Sequence, residues 1–127
     1  MTVEYFGNEL ILKDLKKLKK TRPSIETDLN EHFWDFRERY MLYENTSDDR
    51  VYFDENGVRG YEMKVSIKSG NLSKQNGARL WYLLIPDGYR LLFLPAILFD
   101  CREEKSFPKR ICLQILKTRL GKYYENL

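Results

Sequence analysis

The sequence predicts a single α+β domain, with a helical hairpin near its N-terminus and a C-terminal helix packed on an antiparallel β-sheet. Two observations support this class. Apolar residues recur at steps of three and four near both ends of the chain, whereas the central part alternates or is continuously apolar between turn residues. Helices and strands grouped in blocks are typical of α+β domains, and 127 residues suffice for one core. The expected order is β-α-α-β-β-β-α, with one sheet face left open for a ligand.

The first third of the chain predicts one strand and two helices. Residues 2–6 form a short strand, and residues 9–20 form a basic amphipathic helix that ends before Pro23. Ser24 is a suitable N-cap for a second helix. That helix has apolar residues at Ile25, Leu29, Phe33, Phe36 and Tyr40, so the two helices are expected to pair as a hairpin.

An acidic, turn-rich segment follows at residues 44–56, with a short edge strand predicted at 51–53. Its carboxylates lack the alternate spacing of a calcium-binding loop, so a solvated linker is expected. The carboxylates are Asp48, Asp49, Asp54 and Glu55.

The central stretch, residues 61–82, contains two predicted strands around a polar loop. Lys64 and Lys68 alternate with apolar residues, which places both lysines on one sheet face. The continuous apolar run at 78–85 predicts a buried strand with Arg79 at its start. Lys74 lies on the loop between them.

The turn at residues 86–88 predicts an antiparallel return strand over 89–98. Pro95 implies that this strand ends, bulges or lies at an edge there. Counting outward from Asp87 places Pro95 opposite Arg79, with Arg102 folding back over the same end of the sheet. Residues 108–124 predict the last helix.

The composition predicts a cytoplasmic protein without a membrane, metal or cofactor partner. The chain is 43% hydrophobic, and no apolar run reaches the roughly 20 residues of a membrane span. The N-terminus has no export signal, so Cys101 and Cys112 are expected to be reduced. No cysteine and histidine cluster suggests a metal site.

Charge is segregated along the chain. Residues 1–56 contain 9 basic and 13 acidic residues, whereas residues 57–127 contain 13 basic and 6 acidic ones. The positive half includes the central stretch, and positive charge concentrated there favours a phosphate-containing ligand. The alternative explanation is a solvated surface.

The polar sheet face therefore predicts a phosphate site built from Lys64, Lys68, Lys74, Arg79 and Arg102. RNA cleavage requires a deprotonated 2′-hydroxyl, a stabilised phosphorus centre and a protonated leaving oxygen. Arg79 and Arg102 suit charge stabilisation, while Lys64 or Glu62 suits proton transfer. The alternative is that these lysines simply occupy the wet side of a strand. His32, the single histidine, is expected to be a packed or surface side chain.

Four segments together resemble the RelE/ParE superfamily of toxins, and most closely its RelE and HigB types. They are KDLKKLKKTRPSIETDL at 13–29, GYEMKVSI at 60–67, GARLWYLL at 77–84 and LFDCREEKSFP at 98–108. The resemblance covers almost the whole chain and implies one RelE/HigB-like domain over residues 1–127. Many members are metal-independent endoribonucleases that cut mRNA in the ribosomal A site and are inhibited by a cognate antitoxin.

The resemblance implies which residues act. Lys64, Arg79 and Arg102 match family positions, whereas Glu62 stands where a lysine is expected and could serve as a general base. The family's later tyrosine falls near Phe107, which keeps a stacking role but no hydroxyl. Cys101 occupies the place of a further lysine of many relatives.

The sequence thus predicts the toxin of a type II toxin–antitoxin system, acting as an mRNA endoribonuclease. Lys64, Arg79, Arg102 and Glu62 are the predicted catalytic residues, and Lys68, Lys74 and Phe107 are predicted to bind RNA. The expected partners are mRNA, the ribosome and a cognate antitoxin. Two alternatives are a ParE-like gyrase inhibitor and a non-catalytic module that binds RNA or an acidic partner through the same face.

Overall fold

The computed structural model describes residues 2–43 and 50–125, which form three helices and a five-stranded sheet. Two further 3₁₀ segments, Glu9–Ile11 and Cys101–Ser106, precede the first and last helices. The elements are β1 (Thr2–Tyr5), α1 (Leu12–Lys19), α2 (Ile25–Tyr43), β2 (Val51–Glu55), β3 (Val58–Val65), β4 (Ala78–Asp87), β5 (Arg90–Asp100) and α3 (Lys109–Glu125). The predicted mixture of α and β elements and the C-terminal helix are confirmed.

The strand order across the sheet is β1-β5-β4-β3-β2. Strands β2 to β5 pair antiparallel with their sequence neighbours, but β1 pairs parallel with β5. The prediction of an entirely antiparallel sheet is therefore wrong for β1. The chain between β1 and β5 brings the last strand beside the first in the same direction, and a parallel pair of this kind needs a long crossover.

Both faces of the sheet are covered, so the expectation of one open face is wrong. On one face, α1 and α2 bury Leu15, Leu18 and Phe33 against β3, β4 and β5. On the other face, α3 buries Cys112, Leu116 and Leu120 against the same strands. The continuous apolar run of β4 is explained by this burial on both sides.

Two short turns determine the strand register. Asn56 and Gly57 both have positive φ, as a two-residue turn between β2 and β3 requires. Gly88, with φ of 60°, lies in the turn between β4 and β5, where Asp87 pairs with Arg90. Because this turn lies after Asp87 and Ala96 is an extra residue beside Pro95, Arg79 pairs with Phe99 and not with Pro95. Of the three alternatives expected at Pro95, the structure has the bulge.

An ion pair joins α1 to α3 beyond the end of β1. Arg119 binds both carboxylate oxygens of Asp14, at 2.6 and 3.0 Å, and donates to the Ala96 carbonyl at 2.6 Å. Asp14 also accepts the Leu98 amide at 3.0 Å. The pair thereby satisfies backbone groups on the part of β5 that β1 does not reach.

Other predictions concern the linker, the cysteines and the helices. Asp48 and Asp49 lie outside the described residues, whereas Asp54 forms an ion pair with Arg59. Cys101 and Cys112 are both free thiols. Among helices of the described residues, none has the length and apolar character needed to cross a bilayer.

Candidate active site

A pocket of about 340 Å³ lies at the edge of the sheet where β2 stops pairing with β3. The last β3 residue paired with β2 is Tyr61, so among the described residues no strand lies beside the following part of β3 on that edge. The described lining is mainly basic and includes the carboxylate of Glu62. It consists of His32, Arg39, Arg50, Tyr52, Glu62, Met63, Lys64 and Lys74. We call this cavity the active-site pocket.

Glu62 provides the carboxylate of the active-site pocket. Strand β3 directs it away from the α1–α2 face, opposite Trp81 on β4, and Trp81 Nε1 donates to Glu62 Oε2 at 2.8 Å. Burial raises the pKa of Glu62 above its ordinary value, and the Trp81 hydrogen bond offsets part of that rise. A half-buried carboxylate with a raised pKa is a stronger proton acceptor than an exposed one.

Lys64 and Lys74 bring positive charge to the same pocket. Lys64 is exposed on β3, and its Nζ donates to Gln75 Oε1 at 3.2 Å. Lys74 and Gln75 belong to a short 3₁₀ turn at Lys74–Asn76 that precedes β4. Among the described residues, no carboxylate lies within ion-pair distance of either lysine, so both ammonium groups are available to an anionic ligand.

Arg79 lies beneath that turn and supports it. Its guanidinium donates to the carbonyls of Lys74, Gln75 and Ala78 at 2.8 to 3.1 Å. Its Nε donates to Glu104 Oε1 at 2.5 Å, and only 5% of its side chain is exposed. Arg79 therefore holds the backbone that carries Lys74 and Gln75.

His32 is packed between α2 and the end of β3. Its Nε2 accepts the Ser66 amide at 3.1 Å and lies 2.9 Å from the Ser66 hydroxyl. Burial, and then the positive charge of Lys74, lower the pKa of His32. A neutral imidazole that accepts a backbone hydrogen bond has a structural role, as expected from the sequence.

Arg102 and Phe107 lie at a second pocket of about 380 Å³, between α1 and the 3₁₀ segment that follows β5. Arg102 binds the buried Asp100, which also pairs with Arg22 at 3.1 Å. The ring of Phe107 stacks on Phe99 at 4.5 Å. The remaining cations that line this second pocket are Lys13, Lys17 and Lys20. The structure therefore places Glu62, Lys64 and Lys74 at one pocket and Arg102 and Phe107 at another.

Lys68 lines neither pocket. Strand β3 ends at Val65, and Lys68 Nζ pairs with Glu31 of α2 at 2.7 Å. The Lys68 amide also donates to the buried Asp28. The prediction that Lys64 and Lys68 share a sheet face is wrong because the strand stops between them.

Three residues of the active-site pocket were not predicted: Arg39, Arg50 and Tyr52. Arg39 is seven positions after His32, a helical spacing that places both on one face of α2. The ring centroids of Tyr52 and Trp81 are 5.0 Å apart. The cationic groups of Arg50 and Lys109 lie within 6 Å of the Tyr52 ring centroid. Tyr52 lies within the predicted edge strand and Arg50 directly precedes it, but placing them at the pocket requires the β2–β3 register.

Comparisons with known proteins do not identify a relative. No protein-family model, curated protein or solved structure matches this chain significantly. Within residues 2–43 and 50–125, no group of three or more potential ligands from His, Cys, Asp and Glu could hold a metal ion.

Proposed function

We propose that the protein is an endoribonuclease that cleaves single-stranded RNA in the active-site pocket, and that it acts as a RelE/HigB-like toxin. The observation that supports the ribonuclease proposal most directly is the environment of Glu62. Its carboxylate has a raised pKa, is oriented by Trp81 and faces a pocket lined by cations. This combination supplies a base beside groups that bind phosphate.

In the proposed reaction, Glu62 removes the proton from a ribose 2′-hydroxyl. The 2′-oxygen attacks the adjacent phosphorus, and the bond from phosphorus to the 5′-oxygen breaks. Lys64 and Lys74 stabilise the charge on the phosphoryl oxygens, and Lys64 gives a proton to the departing 5′-oxygen. The products are a 2′,3′-cyclic phosphate and a 5′-hydroxyl.

The remaining predicted residues have supporting parts in this proposal. Arg79 holds the turn that carries Lys74, and its guanidinium can stabilise a phosphate once its pair with Glu104 opens. Arg102 and Phe107 bind RNA next to the cleavage point, at the second pocket. Lys68 contacts the RNA backbone from the surface outside both pockets.

The toxin assignment, with its RelE-like helical hairpin, rests on the four sequence segments that resemble RelE and HigB proteins. It implies cytoplasmic mRNA on the ribosome as the substrate and an antitoxin as the inhibitor. The fold supports this assignment only as far as a small α+β domain with a C-terminal helix. An antitoxin helix that covers the active-site pocket would explain inhibition.

A non-catalytic RNA-binding module is the second candidate function. It is favoured by the state of Arg79, whose guanidinium is buried and already engaged with three carbonyls and Glu104. An arginine in that state cannot stabilise a transition state without a rearrangement. The cations around the pocket would then bind RNA without cleaving it.

The deciding experiment incubates the purified protein with translating ribosomes and, separately, with a labelled single-stranded RNA. Wild type should cut within the A-site codon and leave a cyclic phosphate, while Glu62→Gln should bind the RNA without cutting it. Salt-sensitive binding without product would establish the non-catalytic module. A DNA-damage response upon expression, with translation unaffected, would instead indicate the gyrase-inhibitor alternative.

A further inference from the structure

Arg79 lies between the two pockets, in a row of three neighbouring residues across the sheet. Lys64 is directly opposite Arg79, and Arg79 is directly opposite Phe99. Opposite residues on antiparallel strands project from the same face, and adjacent strands are about 4.8 Å apart. Lys64 lines the active-site pocket and Phe99 lines the second pocket. The row therefore runs from a residue of the active-site pocket to a residue of the second pocket, with Arg79 as its middle member.

Glu104 covers Arg79 at this position. It belongs to the 3₁₀ segment Cys101–Ser106 and makes a 2.5 Å ion pair with Arg79 Nε. The two partners differ in exposure, because 53% of the Glu104 side chain is exposed but only 5% of the Arg79 side chain. Among the described residues, Glu104 is the one carboxylate paired with Arg79, whose other hydrogen bonds go to backbone carbonyls.

Displacing Glu104 would cost little and would leave Arg79 in place. The Glu104 carboxylate is half-exposed, so water can replace the arginine as its partner. Arg79 would remain held by the carbonyls of Lys74, Gln75 and Ala78. Carboxylate and phosphate oxygens bind guanidinium groups with the same geometry, so a phosphate can take the position of the Glu104 oxygen. The 3₁₀ hydrogen bonds of its segment are also weaker than those of an α-helix.

We infer that Glu104 occupies a phosphate position at Arg79, and that an RNA phosphate displaces it to join the two pockets into one binding track. Glu104 is thus an internal competitor of the substrate. The inference rests on the proposed function, because it specifies how the same site binds RNA. It also explains how a buried arginine becomes available to a phosphate only when RNA is present.

The test measures binding of an RNA oligonucleotide that cannot be cleaved because every 2′-hydroxyl is methylated. Fluorescence anisotropy at fixed salt compares wild type with Glu104→Ala and with Glu104→Gln, after thermal melting has verified folding. Removing the competitor should tighten binding about five- to tenfold, the effect of a pair worth about 1 kcal/mol.

Glu26→Ala is the matched control. Glu26 also forms a short ion pair, with Lys19 at 2.6 Å, and 52% of its side chain is exposed. Its replacement makes the same change in net charge, but Lys19 lines neither pocket. The control should therefore change RNA affinity by less than about twofold, as expected for a change of one surface charge outside both pockets.

Each outcome is decisive. Tighter binding by the Glu104 variants alone supports the inference, even if wild type binds too weakly to measure. An equal gain with Glu26→Ala would show a general charge effect and overturn the inference, as would unchanged affinity of the Glu104 variants. If wild type binds and cleaves RNA but the Glu104 variants bind no tighter, the proposed function stands and only this inference is rejected. If no variant binds, both are rejected.

Discussion

Trp81 Nε1 donates a 2.8 Å hydrogen bond to Glu62 Oε2 from the adjacent strand, where the two residues are directly opposite each other. Trp81 is itself buried by the α3 side of the sheet, with 2% of its surface exposed. One oxygen of Glu62 is therefore held by a rigid donor. In the proposed reaction, the other oxygen accepts the proton of the ribose 2′-hydroxyl.

Replacing Glu62 with glutamine should abolish cleavage and preserve the fold. We expect the cleavage rate to fall at least about 100-fold, the usual contribution of a general base. RNA affinity should not decrease, since a negative charge is removed. Steady-state cleavage and anisotropy measure the two effects. Glu55→Gln on the exposed edge strand is the control, and a cleavage rate of Glu62→Gln within threefold of wild type would rule out the base.

Glu62→Gln also tests whether ionisation of Glu62 stabilises or destabilises the fold. Folding raises the pKa of Glu62, so its contribution to stability is present at low pH and is lost as pH rises through the folded pKa. At pH 7 the glutamine variant should thus be at least as stable as wild type. Urea unfolding at pH 5 and pH 7 checks this, and a clear loss of stability at pH 7 would contradict it.

Trp81→Phe should shift the pH dependence of cleavage. The Trp81 hydrogen bond lowers the pKa of Glu62 against the larger effect of burial, so its removal should move the acidic limb of kcat/KM to higher pH. A pH–rate profile provides the measurement. An acidic limb at the wild-type position would mean that Glu62 does not control the rate.

The main effect of Arg79→Met should be a loss of fold stability. It removes hydrogen bonds to the carbonyls of Lys74 and Gln75 and leaves Glu104 without its partner. We expect a loss of about 3–5 kcal/mol in the free energy of unfolding. Arg59→Met, which breaks an exposed pair with Asp54 at 3.6 Å, should cost less than about 0.5 kcal/mol. If denaturant titrations gave both variants the same loss in the free energy of unfolding, the buried contacts of Arg79 would not contribute to stability.

Gly77→Ala should also be strongly destabilising, because a Cβ there would lie 1.9 Å from the Val65 carbonyl oxygen. Relief of that clash must separate β3 from the start of β4, at a cost of about 2–4 kcal/mol. Gly121→Ala in α3 is the comparison, since no atom lies within 4 Å of its added Cβ. It should stabilise the protein by about 0.5–1 kcal/mol. If the melting temperatures of Gly77→Ala and Gly121→Ala change in the same direction, this prediction is wrong.

Arg119→Met should weaken the fold. It leaves Asp14 unpaired and removes the hydrogen bond to the Ala96 carbonyl. Both side chains are largely buried, so we expect a loss of about 2 kcal/mol in the free energy of unfolding. Chemical denaturation measures that loss, and an unchanged free energy of unfolding would contradict the prediction.

Local patterns predicted most of the elements, because helical and strand periodicity appear directly in the sequence. The end of the first helix before Pro23 was predicted from the proline, and so was an irregularity of β5 at Pro95, with a bulge as one of three alternatives. The Asn56–Gly57 turn was missed, although this dipeptide is a strong hairpin signal. Arg39 and Arg50 were missed because their approach to Glu62 depends on how α2 and β2 lie along β3.

The sequence alone determined the α+β class, the segregated positive charge and the residue types of the candidate site, since these follow from composition and short-range spacing. The tertiary structure decided how they are arranged. It placed β1 parallel to β5, covered both sheet faces, gathered Glu62, Lys64 and Lys74 in one pocket, and buried Arg79 against Glu104. These relationships depend on strand register and on the path of residues 101–106, which join groups far apart in the chain and which no local pattern specifies.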